Sequence, residues 1–262
     1  MSAKTLIIAA CSGLCNRMMA VAGGAIHAKA LDRNLKVYWP KNGSLNFQPD
    51  ELFRDFPFEV VKDDYMMELF GAHPRVQMVN HDEVIQGFDD WGRDILLIKA
   101  VIAPVDKPKQ VIPSWDAPIV GEYMNDIFLQ FKDHVWRAIN GPMDSRPVAV
   151  HIRRGDSMHL FKDSTNAAFI REMRALGPDQ KFLVSTDCKS TRFLFQKEFG
   201  GQVAFPTGLS HIRQDRYSLE VTQAYIDELF YLKQCKAIIG NEGSTYSKSI
   251  SMMGNIPLTI AK

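Results

Sequence analysis

The chain has 262 residues, enough for one or two domains with a proper core, since single domains commonly run to about 100–200 residues. With 46% hydrophobic and 23% charged residues it has the profile of a folded globular protein, which excludes disordered, collagen-like and coiled-coil chains. Lys and Arg total 31 against 30 Asp and Glu, and a net charge of +1 gives no reason to expect a nucleic-acid partner.

In chain order, residues 5–10 read as a buried first strand. The run from Leu6 to Cys11 after Lys4 also imitates a lipoprotein signal, but it is shorter than the ~7–15 residues of a signal core. A turn at Ser12-Gly13-Leu14-Cys15 leads to a helix over residues 16–31 and a second strand over 35–39. Between Pro40 and Pro118 the pattern weakens, with strands expected at 58–61, 75–79 and 95–101 and a short helix at 63–70. Ile127, Phe128, Phe131, Val135, Trp136 and Ile139 then line one face of a helix predicted over 125–140.

The cluster from Asn140 to Pro147 is the strongest breaker, so the expected domains are 1–145 and 146–262. A second alternating series follows: strands at 148–152, 182–185, 202–205, 237–240 and 257–260, and helices at 166–176, 190–199, 219–234 and 245–253. Alternation of this kind predicts an α/β fold, here two Rossmann-like domains facing a cleft. No apolar stretch approaches the ~18–20 residues of a membrane span. Cys11, Cys15, Cys188 and Cys235 are too few for a disulfide framework and form no C-x-x-C pair, which suits a reducing compartment. The expected location is the cytoplasm, free or peripheral to the membrane.

Three segments carry candidate chemistry. His151-Ile152-Arg153-Arg154-Gly155-Asp156 stands where a strand gives way to its loop, and ligands of open α/β sheets bind beyond the carboxyl ends of strands. Two adjacent arginines there suit phosphate oxygens, because guanidinium is a rigid, permanently charged fork of donors. The other reading is a structural ion pair with Asp156. Gly240-Asn241-Glu242-Gly243-Ser244-Thr245-Tyr246-Ser247 opens a helix whose leading N–H groups favour an anion, although Ser244 or Thr245 would serve equally as an ordinary cap. The turn Ser12-Gly13-Leu14-Cys15-Asn16-Arg17 is neither a dinucleotide fingerprint nor a P-loop, which disfavours NAD and P-loop ATP chemistry, and Asn16 there also reads as a helix cap. The chain contains no Asp-x-Asp, and His27, His73, His81, His134, His159 and His211 lack metal-ligand spacing, so no metal is expected.

Taken together, these segments resemble the fucosyltransferase superfamily that includes the α1,2-, α1,6- and protein O-fucosyltransferases. The resemblance rests on Gly13-Leu14-Cys15-Asn16-Arg17, on the H-x-R-R-x-D segment from His151 to Asp156, and on Asp227 to Cys235 followed by Gly243 to Tyr246. Ser185-Thr186-Asp187 adds a Thr-Asp after a strand. It implies a GT-B fold, GDP-fucose as donor, a glycan or other hydroxyl as acceptor, inversion at the anomeric carbon, and neither metal nor cofactor. It also implies that Arg153 and Arg154 hold the β-phosphate, with Asp156 orienting an arginine, and that these three carry the catalysis. His151 and Asp227 would face guanine, Ser244, Thr245 and Tyr246 would complete the diphosphate cradle, and Asp187 would stand near the donor. Asn16 and Arg17 would reach in from the first domain.

The implied reaction is a single displacement by an acceptor hydroxyl, in which positioning and leaving-group stabilisation do most of the work. The general base stays unassigned, with Asp163, Asp187 and Glu242 as candidates. Cys15 stands where relatives place Gly, and Cys188 and Ser157 depart from the α1,6 pattern, which leaves the linkage open. Residues 40–118 align with nothing, which leaves the acceptor open too. Two other readings share the fold: a transferase for another nucleotide sugar, and a non-catalytic nucleotide- or glycan-binding protein.

Overall fold

The first strand, β1 (Thr5–Ala10), is apolar on both faces, and Leu6 to Ala10 are all buried, as a central parallel strand requires. The computed structural model describes residues 4–62, 64, 76–80, 95–100, 118–128, 138–154, 162–206 and 218–262. The chain forms two units, Met1–Asp133 and His134–Lys262. In the first, β1 pairs in parallel with β2 (Asn34–Tyr38) on one side and β5 (Ile95–Ala100) on the other. β3 (Glu59–Val61) extends the sheet beyond β2 and β4 (Val76–Asn80) beyond β5, giving the order β3-β2-β1-β5-β4.

Helix α1 (Leu14–Ala30) lies close on this sheet because its sequence is Ala- and Gly-rich: a Cβ at Gly24 would stand 3.1 Å from Ile8 Cβ. It begins at Leu14, two positions before the expected Asn16, with Gly13 as its N-cap. A one-turn helix α2 (Pro49–Leu52), held by a capping box between Gln48 and Glu51, is too short to register as apolar periodicity. Helix α3 (Pro118–Phe128) corrects the helix expected over 125–140. It starts at a proline, a residue suited to the first turn, and buries Val120, Met124, Ile127 and Phe128. Residues 129–137 of the expected helix, and the helix expected at 63–70 apart from Asp64, lie outside the described residues.

The second unit has β6 (Val148–Ile152) at its centre, buried along its whole length. It pairs in parallel with β7 (Phe182–Thr186) and β9 (Ala237–Gly240), flanked by β8 (Val203–Ala204) and β10 (Leu258–Ile260), in the order β10-β9-β6-β7-β8. β8 is shorter than the strand expected over 202–205, because residues 200–202 form a 3-10 turn entered through Gly200 at φ +52°. Helices α4 (Asn166–Ala175), α5 (Lys189–Phe199), α6 (Leu219–Leu232) and α7 (Thr245–Gly254) connect the strands. Phe169, Met173, Phe182, Phe195 and Phe199 fill the core against Val148, Val150 and Ile152.

The segment before β6 is stitched to the end of α6. Gln234 Oε1 accepts the Ile139 N–H at 3.0 Å, Arg146 donates to Gln234 O at 3.0 Å, and Lys236 donates to Asp144 O at 3.1 Å. From β6 the chain winds towards β7 and β8, then returns to β9 and β10 on the opposite side. Such a reversal opens a crevice outside the carboxyl ends of the two strands that flank it, here β6 and β9.

Candidate functional site

The ends of β6, β7 and β9 bring together His151, Arg153, Arg154, Ser185, Asp187, Asn241 and Ser244. Each strand end is tied to its neighbour by a side chain that accepts a backbone N–H. Asn241 Oδ1 takes that of Arg153 at 2.8 Å, and Asp187 Oδ1 takes that of Arg154 at 2.7 Å. Ser164 Oγ takes that of Glu242 at 3.0 Å. The loop after β6 is therefore set by side chains from both flanking strands, which fixes where its arginines start.

The two arginines differ. Arg154 spends its fork inside the protein: Nε on Asn166 Oδ1 at 3.0 Å, Nη1 on Arg153 O at 2.8 Å and Nη2 on Ser164 O at 2.8 Å. Its guanidinium lies 5.6 Å from the centroid of the Phe169 ring. Three of its five N–H donors thus brace the loop. Asp187 is likewise a brace, through the Arg154 N–H. Asp156 lies outside the described residues.

His151 is buried, with Nδ1 2.8 Å from Ser247 Oγ and its ring 4.6 Å from that of Tyr246. Burial, with Arg153 and Arg154 nearby, pushes its pKa down to about 3, so the ring is neutral at working pH. A neutral imidazole offers one donor and one acceptor, and Ser247 occupies one of them. Gly240 makes this contact possible: a Cβ there would stand 2.5 Å from Ser247 Oγ.

Tyr246 links His151 to a carboxylate that none of the sequence motifs singles out. Its hydroxyl lies 3.3 Å from Glu228 Oε1 and 3.2 Å from Tyr225 O. Ser185 Oγ also donates to Glu228 Oε1, while Oε2 takes no hydrogen bond among the described residues. Glu228 is buried, and burial pushes its carboxyl up to about 7 against the opposing pull of Ser185 and Tyr246. Glu228 stands one residue beyond the expected Asp227, which is half-buried on the same helix. Helical spacing contained the signal: Val221, Tyr225, Glu228 and Leu232 recur at the intervals of one helix stripe, and both end members are buried.

Ser244 caps α7, its Oγ accepting the Ser247 N–H at 3.3 Å, and Gly243 turns the chain into the cap at φ +68°. The leading N–H groups of a helix lack intrahelical partners and carry its positive end, so the start of α7 at Thr245 and Tyr246 has the chemistry to accept an anion. Glu242, the carboxylate of this turn, is engaged by Lys262 Nζ at 2.8 Å.

In the first unit, Ser12 has φ 73° in the turn after β1, and its Oγ accepts from Asn16 Nδ2 at 2.9 Å. Asn16 Oδ1 is buried without a partner among the described residues. Arg17 is fully buried and consumed: Nε donates to Ser12 O at 2.7 Å, Nη1 to Pro40 O at 2.7 Å and Nη2 to Asn42 Oδ1 at 3.1 Å. Burial lowers its pKa to about 10. The expectation that Arg17 reaches a ligand is corrected: it staples the turn after β1 to the segment after β2. Among the described residues, no three His, Cys, Asp or Glu side chains gather as a metal-holding group, and no helix is long and apolar enough to cross a membrane.

No protein-family model matches the sequence, and no curated protein matches it by sequence. Solved structures match it in fold. A NodZ alpha-1,6-fucosyltransferase soaked with GDP-fucose gives a TM-score of 0.62 at 13% identity, covering 96% of this chain and 93% of that one. A point mutant of Arabidopsis thaliana FUT1 in complex with GDP gives 0.57 at 11% identity, covering 99% and 70%. POFUT1 in complex with GDP gives 0.56 at 11% identity, covering 100% and 99%. The fold is therefore α/β and GT-B-like, that of the fucosyltransferases.

Proposed function

We propose that this protein transfers fucose from GDP-fucose to a hydroxyl acceptor, with inversion and without a metal ion. The observation that carries the reading is the cluster of side chains at the switch point of the second sheet: His151 with Tyr246 and Glu228, and Arg153 with the start of α7. We read the first group as facing the guanine and the second as holding the diphosphate. Guanine presents N1–H and N2–H donors side by side, which suit the unclaimed Oε2 of Glu228, and the O6 and N7 acceptors suit a neutral imidazole donor. The structural neighbours' bound GDP and GDP-fucose support the same donor.

In the proposed reaction the acceptor oxygen forms a bond to the anomeric carbon as the bond from that carbon to the β-phosphate oxygen breaks. GDP leaves with the electron pair, and the acceptor's proton passes to a base. Charge develops on the leaving diphosphate, and fixed donors aimed at it stabilise the transition state without reorganisation. Arg153 supplies a permanent charge and α7 supplies oriented N–H groups, so the residues present meet the need that a divalent cation otherwise meets.

Calorimetric titration with GDP, UDP and GDP-fucose, with and without EDTA, tests the reading, followed by an acceptor screen for GDP release. Selective, EDTA-insensitive GDP binding is expected. Well-folded protein that binds no nucleotide would reduce the likeness to one of fold alone.

A further inference from the structure

Asn241 follows β9 directly and is fully buried. Its Oδ1 accepts the Arg153 N–H, while its Nδ2 is buried with no partner among the described residues. An aspartate would accept the same N–H and leave no orphaned amide behind. The choice of asparagine has to be explained by what surrounds it, since unsatisfied buried donors are rare.

The ties between the strand ends sort by charge. On the β7 side the acceptor is a carboxylate, Asp187, and burial lowers the pKa of the Arg154 guanidinium while this carboxylate opposes the lowering. On the β9 side, beside Arg153 and the positive end of α7, both acceptors are uncharged: the Asn241 amide and the Ser164 hydroxyl, each fully buried. The carboxylate of that loop, Glu242, is engaged by Lys262. A buried carboxylate at position 241 would stand against an anion with little water to screen it, and would compete for Arg153.

We infer that Asn241 is a positioning residue for the donor diphosphate: its amide carbonyl fixes the Arg153 main chain while adding no negative charge beside the anion. This rests on the donor-site reading above and concerns how that site is kept positive.

The test compares Asn241→Asp and Asn241→Ala with the parent, using the full chain at pH 8, with GDP and guanosine as calorimetric probes and thermal unfolding as the check on folding. Asn241→Asp keeps the hydrogen-bond acceptor and is expected to weaken GDP at least about tenfold while guanosine, which lacks phosphate, binds as in the parent. Asn241→Ala loses the anchor but adds no charge, and is expected to bind GDP more tightly than the Asp variant. The reverse order, or parent-like GDP binding by the Asp variant, overturns the inference and makes Asn241 a hydrogen-bond anchor only. If the Asp variant does not fold, the Ala variant decides alone: loss confined to GDP supports the inference, and equal loss of GDP and guanosine overturns it. A parent protein that binds no GDP refutes the donor reading instead.

Discussion

Glu228→Gln separates what the fold gains from this carboxyl from what the site needs of it. Burial moves its pKa from 4.5 up to about 7, so between those values the folded protein keeps a proton that the unfolded chain has released. The stability this proton provides is full below 4.5, falls as the pH rises, and is gone above about 7. Each pH step of one across that window removes about 1.4 kcal/mol, so the whole loss is about 3 kcal/mol. Glutamine has the same shape, stays neutral, and can still accept from Ser185 and Tyr246. The variant is therefore expected to match the parent near pH 4.5 and to exceed it at pH 8 by up to about 3 kcal/mol. GDP affinity should fall at the same time, because an amide cannot accept both guanine donors as a carboxylate does. Urea unfolding of both proteins from pH 4.5 to 8.5, with GDP titrations at pH 8, reads both effects. Parallel stability curves would refute the burial argument, and undiminished GDP affinity would refute the role in base recognition.

Arg153→Ala is expected to cost at least about 2 kcal/mol in kcat/KM for donor transfer, and activity within about twofold of the parent would contradict its role. Gly240→Ala puts a Cβ 2.5 Å from Ser247 Oγ, so α7 must shift. A stability loss of about 1–3 kcal/mol by thermal unfolding, with weakened GDP binding, is expected, and an unchanged unfolding midpoint would show that the helix yields freely. Turnover in excess EDTA should equal that in buffer; a loss restored by added divalent metal would sink the metal-free mechanism.

The central strands were legible because their chemistry is local. β1 and β6 are uninterrupted apolar runs, and only a strand covered on both faces has that composition. The ends of β6 and β9 were legible for a related reason: a charged pair or a Gly-Ser turn after such a run has to lie at the sheet's edge. The roles of individual arginines were not. Arg17 and Arg154 read as ligand-binding forks, yet each makes three hydrogen bonds within its own unit, to Ser12, Pro40 and Asn42 for one and to Arg153, Ser164 and Asn166 for the other. The Arg motif alone does not show the acceptors that lie outside it. The burial of Glu228 was legible in the phase of α6, where it shares a stripe with Val221 and Leu232. The boundaries of β8 and α3 shifted where Gly200 and Pro118 impose backbone geometry that apolar periodicity does not register.

The described acids around these strand ends are each buried or engaged. Burial raises Glu228 to about 7, Asp187 accepts the Arg154 backbone N–H, and Glu242 is engaged by Lys262. Arg154 in turn fixes the Arg153 carbonyl, so one arginine braces the loop that presents the other. In the proposed reaction, preorganisation of this kind would put the energetic cost into folding, before any ligand arrives, and would leave the cation oriented when charge develops on the leaving group. The consequence is that loss of the Arg154 brace should move stability as well as turnover, read by thermal unfolding beside GDP release.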